Sequence, residues 1–275
     1  MRLRIKFTGV IMTLSGEEKI QFNHFSYSTI PKTERSVQMG LVILETDLTI
    51  ETEFRYFLTQ DKNVSQAISL LNTRIPCDDQ VTADNLTLME GRFSGALSLF
   101  PNNYEFDVIG YGCTSASLLI GDKKIEKLIK SLVNVKKVTT PMTAIKKGLK
   151  ALNVSRIGYL APYVSEIAYA MCTDLESEGF EIIGAATFGE DKDSVVGTIS
   201  PESILEAIES LANESEDLEA IFVSCTSLKC ASIISIAEKR LGIPVLSSNS
   251  AIAWDMAKLS GSEISQADKG RLFLV

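Results

Sequence analysis

The chain has 275 residues, of which 45% are hydrophobic and 23% charged, enough length and apolar content for one large or two medium folded units. Its formal net charge of -8 argues against a nucleic-acid-binding surface, which needs Lys and Arg clustered in excess, and no apolar run approaches the ~18 residues of a membrane-spanning helix. Five cysteines, an odd number spread along the chain, do not suggest a disulfide framework and point to a reducing cytoplasm.

In chain order, residues 1–37 read as an N-terminal arm. Arg2, Arg4 and Lys6 alternate there with Leu3, Ile5 and Phe7, the period of a strand, and the stretch lacks the small-residue cleavage site of a secretory signal. From residue 38 short β-branched runs alternate with helical patterns, the signature of parallel sheets covered by helices, and so of an α/β fold. A first half, 38–141, holds the strand candidates LVILET (41–46), VSQAISLL (64–71) and FDVIGYG (106–112). Its helical stripes are Leu86, Met89, Phe93, Leu97 and Ile125, Leu128, Ile129, Leu132, both at helical spacing. A second half, 142–255, holds RIGYLA (156–161), EIIGAATF (181–188), AIFVS (220–224) and PVLSS (244–248). Between them Ser200-Pro201-Glu202 opens the stripe Ile204, Ile208, Leu211 with a cap, an N1 proline and a first-turn acid. Residues 256–275 form a C-terminal segment expected to pack back on the first half.

Cys-Thr-Ser occurs at 113–115 and again at 225–227, each time at the end of a buried strand candidate, so the halves read as duplicated units. Ligand sites of parallel α/β sheets form beyond the carboxyl ends of strands, which would set Cys113 and Cys225 across one cleft. A cysteine where a strand gives way to a helix meets unpaired backbone N–H groups and the positive end of the helix dipole. Both favour the thiolate, the form that acts as nucleophile and base. Thr114, Ser115, Thr226 and Ser227 add hydroxyl donors, and the N–H cluster suits a carboxylate. The remaining cysteines read differently. Cys172 lies in a helix pattern as a packed residue, Cys77 follows Pro76 in a loop, and Cys230, five residues past Cys225, admits a redox pair. With His24 the only histidine, neither a metal site nor a Ser-His-Asp triad is expected. Ser115 stands where a dinucleotide fingerprint needs its third glycine, and no cofactor is implied.

ETDLTIETEF (45–54), NTRIPCDDQVT (72–82), VIGYGCTSAS (108–117), TTPMTA (139–144), RIGYLAPY (156–163), FVSCTSL (222–228) and PVLSSNSAIAW (244–254) together resemble the Asp/Glu racemase superfamily. The likeness is greatest to the branch of maleate cis-trans isomerases, arylmalonate decarboxylases and racemase-like ectoine-utilisation proteins. That resemblance implies a cofactor-independent, dimeric enzyme of two pseudo-symmetric flavodoxin-like halves acting on a small dicarboxylic or amino acid. It implies that Cys113 adds to the substrate alkene, that Cys225 assists proton movement, and that Tyr163 helps hold a carboxylate. Thr114, Ser115, Thr226 and Ser227 would supply hydroxyl and N–H contacts.

The sequence departs from the isomerase pattern in two places. Asp47 stands where an amide donor is expected, and Asp193 or Ser194 aligns with a second such amide. An ionised Asp47 would repel a substrate carboxylate and suit an amine; alternatively it caps a helix over TIETEF. Maleate-type isomerisation and amino-acid racemisation both stay open, and a decarboxylase, which in this superfamily lacks the first-half thiol, is less favoured. A binding protein without turnover is the alternative from another class, with ordinary instead of depressed thiol pKa values.

Overall fold

Two four-stranded parallel sheets of the same topology carry the described residues, ordered β2-β1-β3-β4 and β6-β5-β7-β8. The first comprises β1 (Val37–Leu44), β2 (Ile68–Ile75), β3 (Phe106–Gly112) and β4 (Val135–Thr139); the second comprises β5 (Arg156–Ala161), β6 (Glu181–Thr187), β7 (Ala220–Val223) and β8 (Val245–Ser247). Helices alternate with them: α1 (Ile50–Phe57), α2 (Ala83–Leu88), α3 (Phe93–Leu97), α4 (Thr114–Ile120), α5 (Asp122–Leu132), α6 (Pro141–Ala151), α7 (Ser165–Ser177), α8 (Asp193–Val196), α9 (Pro201–Glu214), α10 (Ile234–Leu241) and α11 (Ser248–Ser260). This computed structural model describes residues 25–30, 35–59, 67–80, 82–262, 264 and 267–275. The chain divides into two compact units, Met1–Ser36 and Val37–Val275, and both sheets belong to the second. Arg2, Arg4, Lys6 and His24 lie outside the described residues.

The expected α/β architecture of two pseudo-symmetric, flavodoxin-like halves is the one observed. In each sheet the chain starts in the middle, steps to one edge and returns to the other side. The order therefore reverses between β1 and β3 and between β5 and β7, the places where parallel sheets open a crevice at their carboxyl ends. Register brings those ends level, Ile43 beside Gly112 in one sheet and Leu160 beside Val223 in the other.

Four elements differ from the sequence reading, the first being the strand expected over 41–46, which runs over Val37–Leu44. The strand expected over 64–71 runs over Ile68–Ile75, because Asn72 and Arg74 reach sideways to Glu51 of α1 and leave the backbone free to continue the ladder. β4 was not expected at all. It is an edge strand with Lys136 and Lys137 turned to solvent, a charged face that guards against edge-to-edge pairing. The stripe from Leu86 to Leu97 is no single helix: α2 passes through a 3-10 turn, Met89–Arg92, into α3. Gly91 and Gly95 weaken the helical run, yet Met89, Phe93 and Leu97 still face the core.

Gly110 and Gly112 serve packing. A Cβ on Gly110 would lie 2.6 Å from Met256 Sδ, and one on Gly112 would lie 2.5 Å from Ile50 Cδ1. These two positions, on one face of β3, let α11 and α1 lie directly on the first sheet. Helix α11 thus follows the last strand of the second sheet but packs against β3, α6 and α1. The C-terminal segment closes the end of α1: Phe273 stacks on Phe57 with centroids 5.4 Å apart, and Lys269 Nζ donates to the Phe57 carbonyl at 3.0 Å.

Candidate functional site

Both Cys-Thr-Ser segments leave their strands at the switch points, but their backbones differ. Cys113 is the N-cap of α4 in extended conformation, and its Sγ accepts the Ala116 N–H at 3.4 Å. Cys225 has φ 110°, a left-handed value that costs a non-glycine residue about 1–3 kcal/mol and persists only where surroundings enforce it.

Those surroundings are cross-ties between the halves. The Ser248 hydroxyl accepts from Cys225 N at 3.0 Å and from Thr114 Oγ1 at 2.8 Å, joining the two segments at one atom. Thr226 Oγ1 donates to the Gly112 carbonyl at 3.3 Å. Asn249 Nδ2 donates to the Thr226 carbonyl at 2.8 Å and to Glu53 Oε2 at 2.9 Å, while Glu53 Oε1 accepts the Ala231 N–H at 2.7 Å. A strut from α1 in the first half therefore braces the loop that follows Cys225 in the second. Burial pushes the Glu53 carboxyl up to about 7, despite the donors from Ala231 and Asn249.

Between the segments lies one cavity, with about 420 Å³ of empty space counted to its mouth. Cys113, Thr114 and Ser115 line it together with Cys225, Thr226 and Ser227, and Tyr163 joins them with its hydroxyl on Cys225. Seven of the eight residues singled out in the sequence are thus brought together. The hydroxyls of Thr114 and Thr226 are engaged in the cross-ties, and that of Ser227 donates to Asp193 Oδ1 at 2.8 Å. Asp47 is the eighth and lies behind the cavity wall, where its Oδ1 accepts the N–H groups of Thr49 at 2.8 Å and Ile50 at 2.9 Å. Of its two expected roles it performs the cap, and its Oδ2 is buried without a hydrogen-bond partner.

Part of the wall has no site role in the sequence reading, which sets Cys77 in a loop and aligns Asp193 or Ser194 with a lost amide. Cys77, Asp78 and Gln80 come from the loop after β2, and Asp193 from the start of α8. These two segments also clasp each other: Asp193 N donates to the Asp79 carbonyl at 2.9 Å, and Ser194 N and Oγ donate to the Asp79 carboxylate at 2.8 and 2.9 Å. Neither belongs to the repeated tripeptide, so no repeat marked them. Cys172 and Cys230 do not line the cavity, and all five cysteines are free. Among the described residues, no group of His, Cys, Asp and Glu side chains could hold a metal ion.

The thiols are not acidic in this state, contrary to the expectation from their strand-end positions. Burial pushes Cys113 up to about 12, outweighing the Ala116 N–H and the Ser115 hydroxyl that favour the thiolate, and the charge of Asp193 adds to the rise. Cys225 is raised further, by burial first and then by Asp193, against the Ser227 N–H and the Tyr163 hydroxyl. For thiols buried this deeply, desolvation exceeds what one or two donors return.

A family model described as arylmalonate decarboxylase matches residues 103–273. The maleate isomerase of Nocardia farcinica (strain IFM 10152) is 25% identical over 244 residues, covering 86% of this chain and 94% of that protein. Among solved structures, the maleate isomerase Iso from Pseudomonas putida S16 superposes with a TM-score of 0.79 at 20% identity, over 87% of this chain and 98% of that one. A mutant of the Nocardia farcinica maleate cis-trans isomerase, carrying a covalently bound succinylcysteine intermediate, gives a TM-score of 0.77 at 23% identity over 86% and 98% of the respective chains.

Proposed function

The chain belongs to the arylmalonate decarboxylase family, and from that premise we propose that it is a cofactor-independent isomerase or racemase that works on a small carboxylate-bearing substrate with Cys113 and Cys225. The observation that carries this reading is the pair of thiols lining one cavity, presented from equivalent strand ends of two like halves. The succinylcysteine intermediate of the Nocardia farcinica relative supports a covalent route through one of them.

In the isomerase form, Cys113 gives its proton to solvent as substrate binds, to recover it when the sulfur is expelled, and its sulfur bonds as the thiolate to one alkene carbon. The π electrons move to the neighbouring carbon, where the attached carboxylate spreads the charge and Cys225 can supply a proton. The central bond is now single and rotates. Return of that proton to Cys225 re-forms the double bond in the other geometry and expels Cys113, so no atom is gained or lost. Cys113 is the better nucleophile because its sulfur alone caps a helix N-terminus, whose N–H groups stabilise negative charge there. In the racemase form one thiol removes the α-proton and the other returns one to the opposite face, a division of labour that two facing thiols also suit.

Burial disfavours both thiolates, so in this reading ionisation accompanies substrate binding. Tyr163, beside Cys225, is placed to hold a carboxylate, with the backbone N–H groups after Cys113 as its counterpart. A homodimeric, cytoplasmic protein completes the reading.

Proton NMR in deuterated water tests it on a panel of four- and five-carbon unsaturated diacids and amino acids. Conversion without α-proton exchange identifies the isomerase, and exchange with loss of optical purity the racemase. Unaltered spectra across the panel, with binding intact, would leave a non-catalytic binder.

A further inference from the structure

Asp193 is an ionisable side chain in the cavity wall that the two-thiol chemistry leaves without a task. Its carboxylate is held in place: Oδ1 accepts from Ser227 Oγ at 2.8 Å, and Oδ2 accepts from Thr46 Oγ1. The residue is only 6% exposed. Each oxygen has a second lone-pair direction beyond the bond it already accepts. The other acid of the wall, Asp78, is paired with Arg92 at 3.1 Å. Among the described residues, none that lines the cavity is a lysine, arginine or histidine. Behind the wall, the orphaned Oδ2 of Asp47 adds a second buried acid, and Asp193 makes both thiols harder to ionise.

We propose that Asp193 is an ammonium-binding residue, and that the substrate is a small molecule carrying one carboxylate and one protonated amine in place of the second carboxylate of a dicarboxylate. A dianion would add two negative charges to a cavity that already holds Asp193 and must form a thiolate, with no cation among the described lining residues to offset them. An ammonium takes the free lone pairs of Asp193 in charge-assisted hydrogen bonds. It also cancels the charge that opposes ionisation of Cys113 and Cys225, so binding itself prepares the thiols. The carboxylate then lies on the opposite side, toward the backbone N–H groups after Cys113. This inference rests on the two-thiol reading for its chemistry and adds the class of molecule the thiols act upon.

Calorimetric titration of the full chain with 4-aminobutanoate and with succinate, matched in length and differing in one charged end, provides the test. The wild-type protein should bind 4-aminobutanoate about tenfold or more tighter than succinate, the range of one charge-assisted hydrogen bond. Asp193→Asn, which keeps the shape and the hydroxyl contacts, should erase or reverse that preference while its circular dichroism spectrum matches wild type. Equal or tighter binding of succinate by the wild-type protein, no saturable binding of 4-aminobutanoate, or an unchanged preference in a folded D193N would overturn it. The wild-type comparison needs no variant to fold. Loss of this preference leaves the thiol chemistry untouched, whereas full turnover in Cys113→Ser or Cys225→Ser would defeat the two-thiol reading and leave the preference standing.

Discussion

The two copies of Cys-Thr-Ser begin alike and end differently. After Ser115 the chain reads Ala-Ser-Leu-Leu-Ile, and α4 has already begun at Thr114, so the first thiol sits in relaxed extended backbone as a cap. After Ser227 it reads Leu-Lys-Cys-Ala-Ser, and the helix waits until Ile234. The intervening loop is folded by contacts from elsewhere, and Cys225 is left at a strained φ. A local motif thus sets chemistry in both halves but geometry in only one; in the other, Ser248, Asn249 and Glu53 set it through space. Strain at the second thiol and its absence at the first make the difference measurable.

The largest effect should come from the sulfurs themselves. Cys113→Ser and Cys225→Ser each replace a thiol by a hydroxyl too weakly acidic to substitute for it, and each should lower turnover by about a thousandfold or more; steady-state kinetics on folded variants decide this. If only one matters, the pair is not a pair.

The strut comes next. Glu53 ionises at about 7 in the folded chain against 4.5 as a free side chain, so its neutral form contributes stability that is fully present below the unfolded value and lost as pH rises through 7. The span corresponds to about 3 kcal/mol. Glu53→Gln cannot ionise, and chemical denaturation should show wild type losing stability relative to the variant across that window. A constant difference at all pH values would place the carboxyl in water.

Removing the Asn249 side chain cuts the ties to both Thr226 and Glu53 and leaves a buried carboxyl half-satisfied. Asn249→Ala should cost about 1–3 kcal/mol and reduce turnover more than Thr114→Ala, which removes only one of the two donors to the Ser248 hydroxyl.

The smallest effect is the sharpest comparison. Cys225→Gly relieves the positive φ and should raise the melting temperature or leave it unchanged, the strain released offsetting the lost side chain. Cys113→Gly has no strain to release and forfeits a buried sulfur and a cap, so it should lower stability by about 1 kcal/mol or more. Equal losses at both positions would mean that the two backbones are equally relaxed.

Much of this was legible before any coordinates. Strands such as RIGYLA and AIFV announce themselves because a strand buried on both faces is continuously apolar, and the Ser200-Pro201 cap fixed α9 to the residue. What escaped depended on tertiary context. VKKVT at 135–139 carries two lysines that only an edge position tolerates, and NTRI at 72–75 continues a strand only because Glu51 waits opposite. Gly110-Tyr111-Gly112 invited comparison with a nucleotide motif, but its glycines make room for Met256 and Ile50. At the site, the repeat marked both thiols, while Cys77 and Asp193 come from unrepeated loops that meet only in the fold. The thiol acidity was misjudged because a sequence reveals neighbouring N–H groups but not the depth of burial that outweighs them.

The most direct test of the central claim is reaction of the wild-type protein with 1,3-dibromoacetone in alkaline buffer, followed by peptide mass spectrometry. Two thiols facing one small cavity should be joined by a single three-carbon bridge between the peptides containing Cys113 and Cys225, and prior binding of a substrate analogue should slow the bridging. Separate additions at the two cysteines, or a bridge to some other cysteine in preference, would contradict the account.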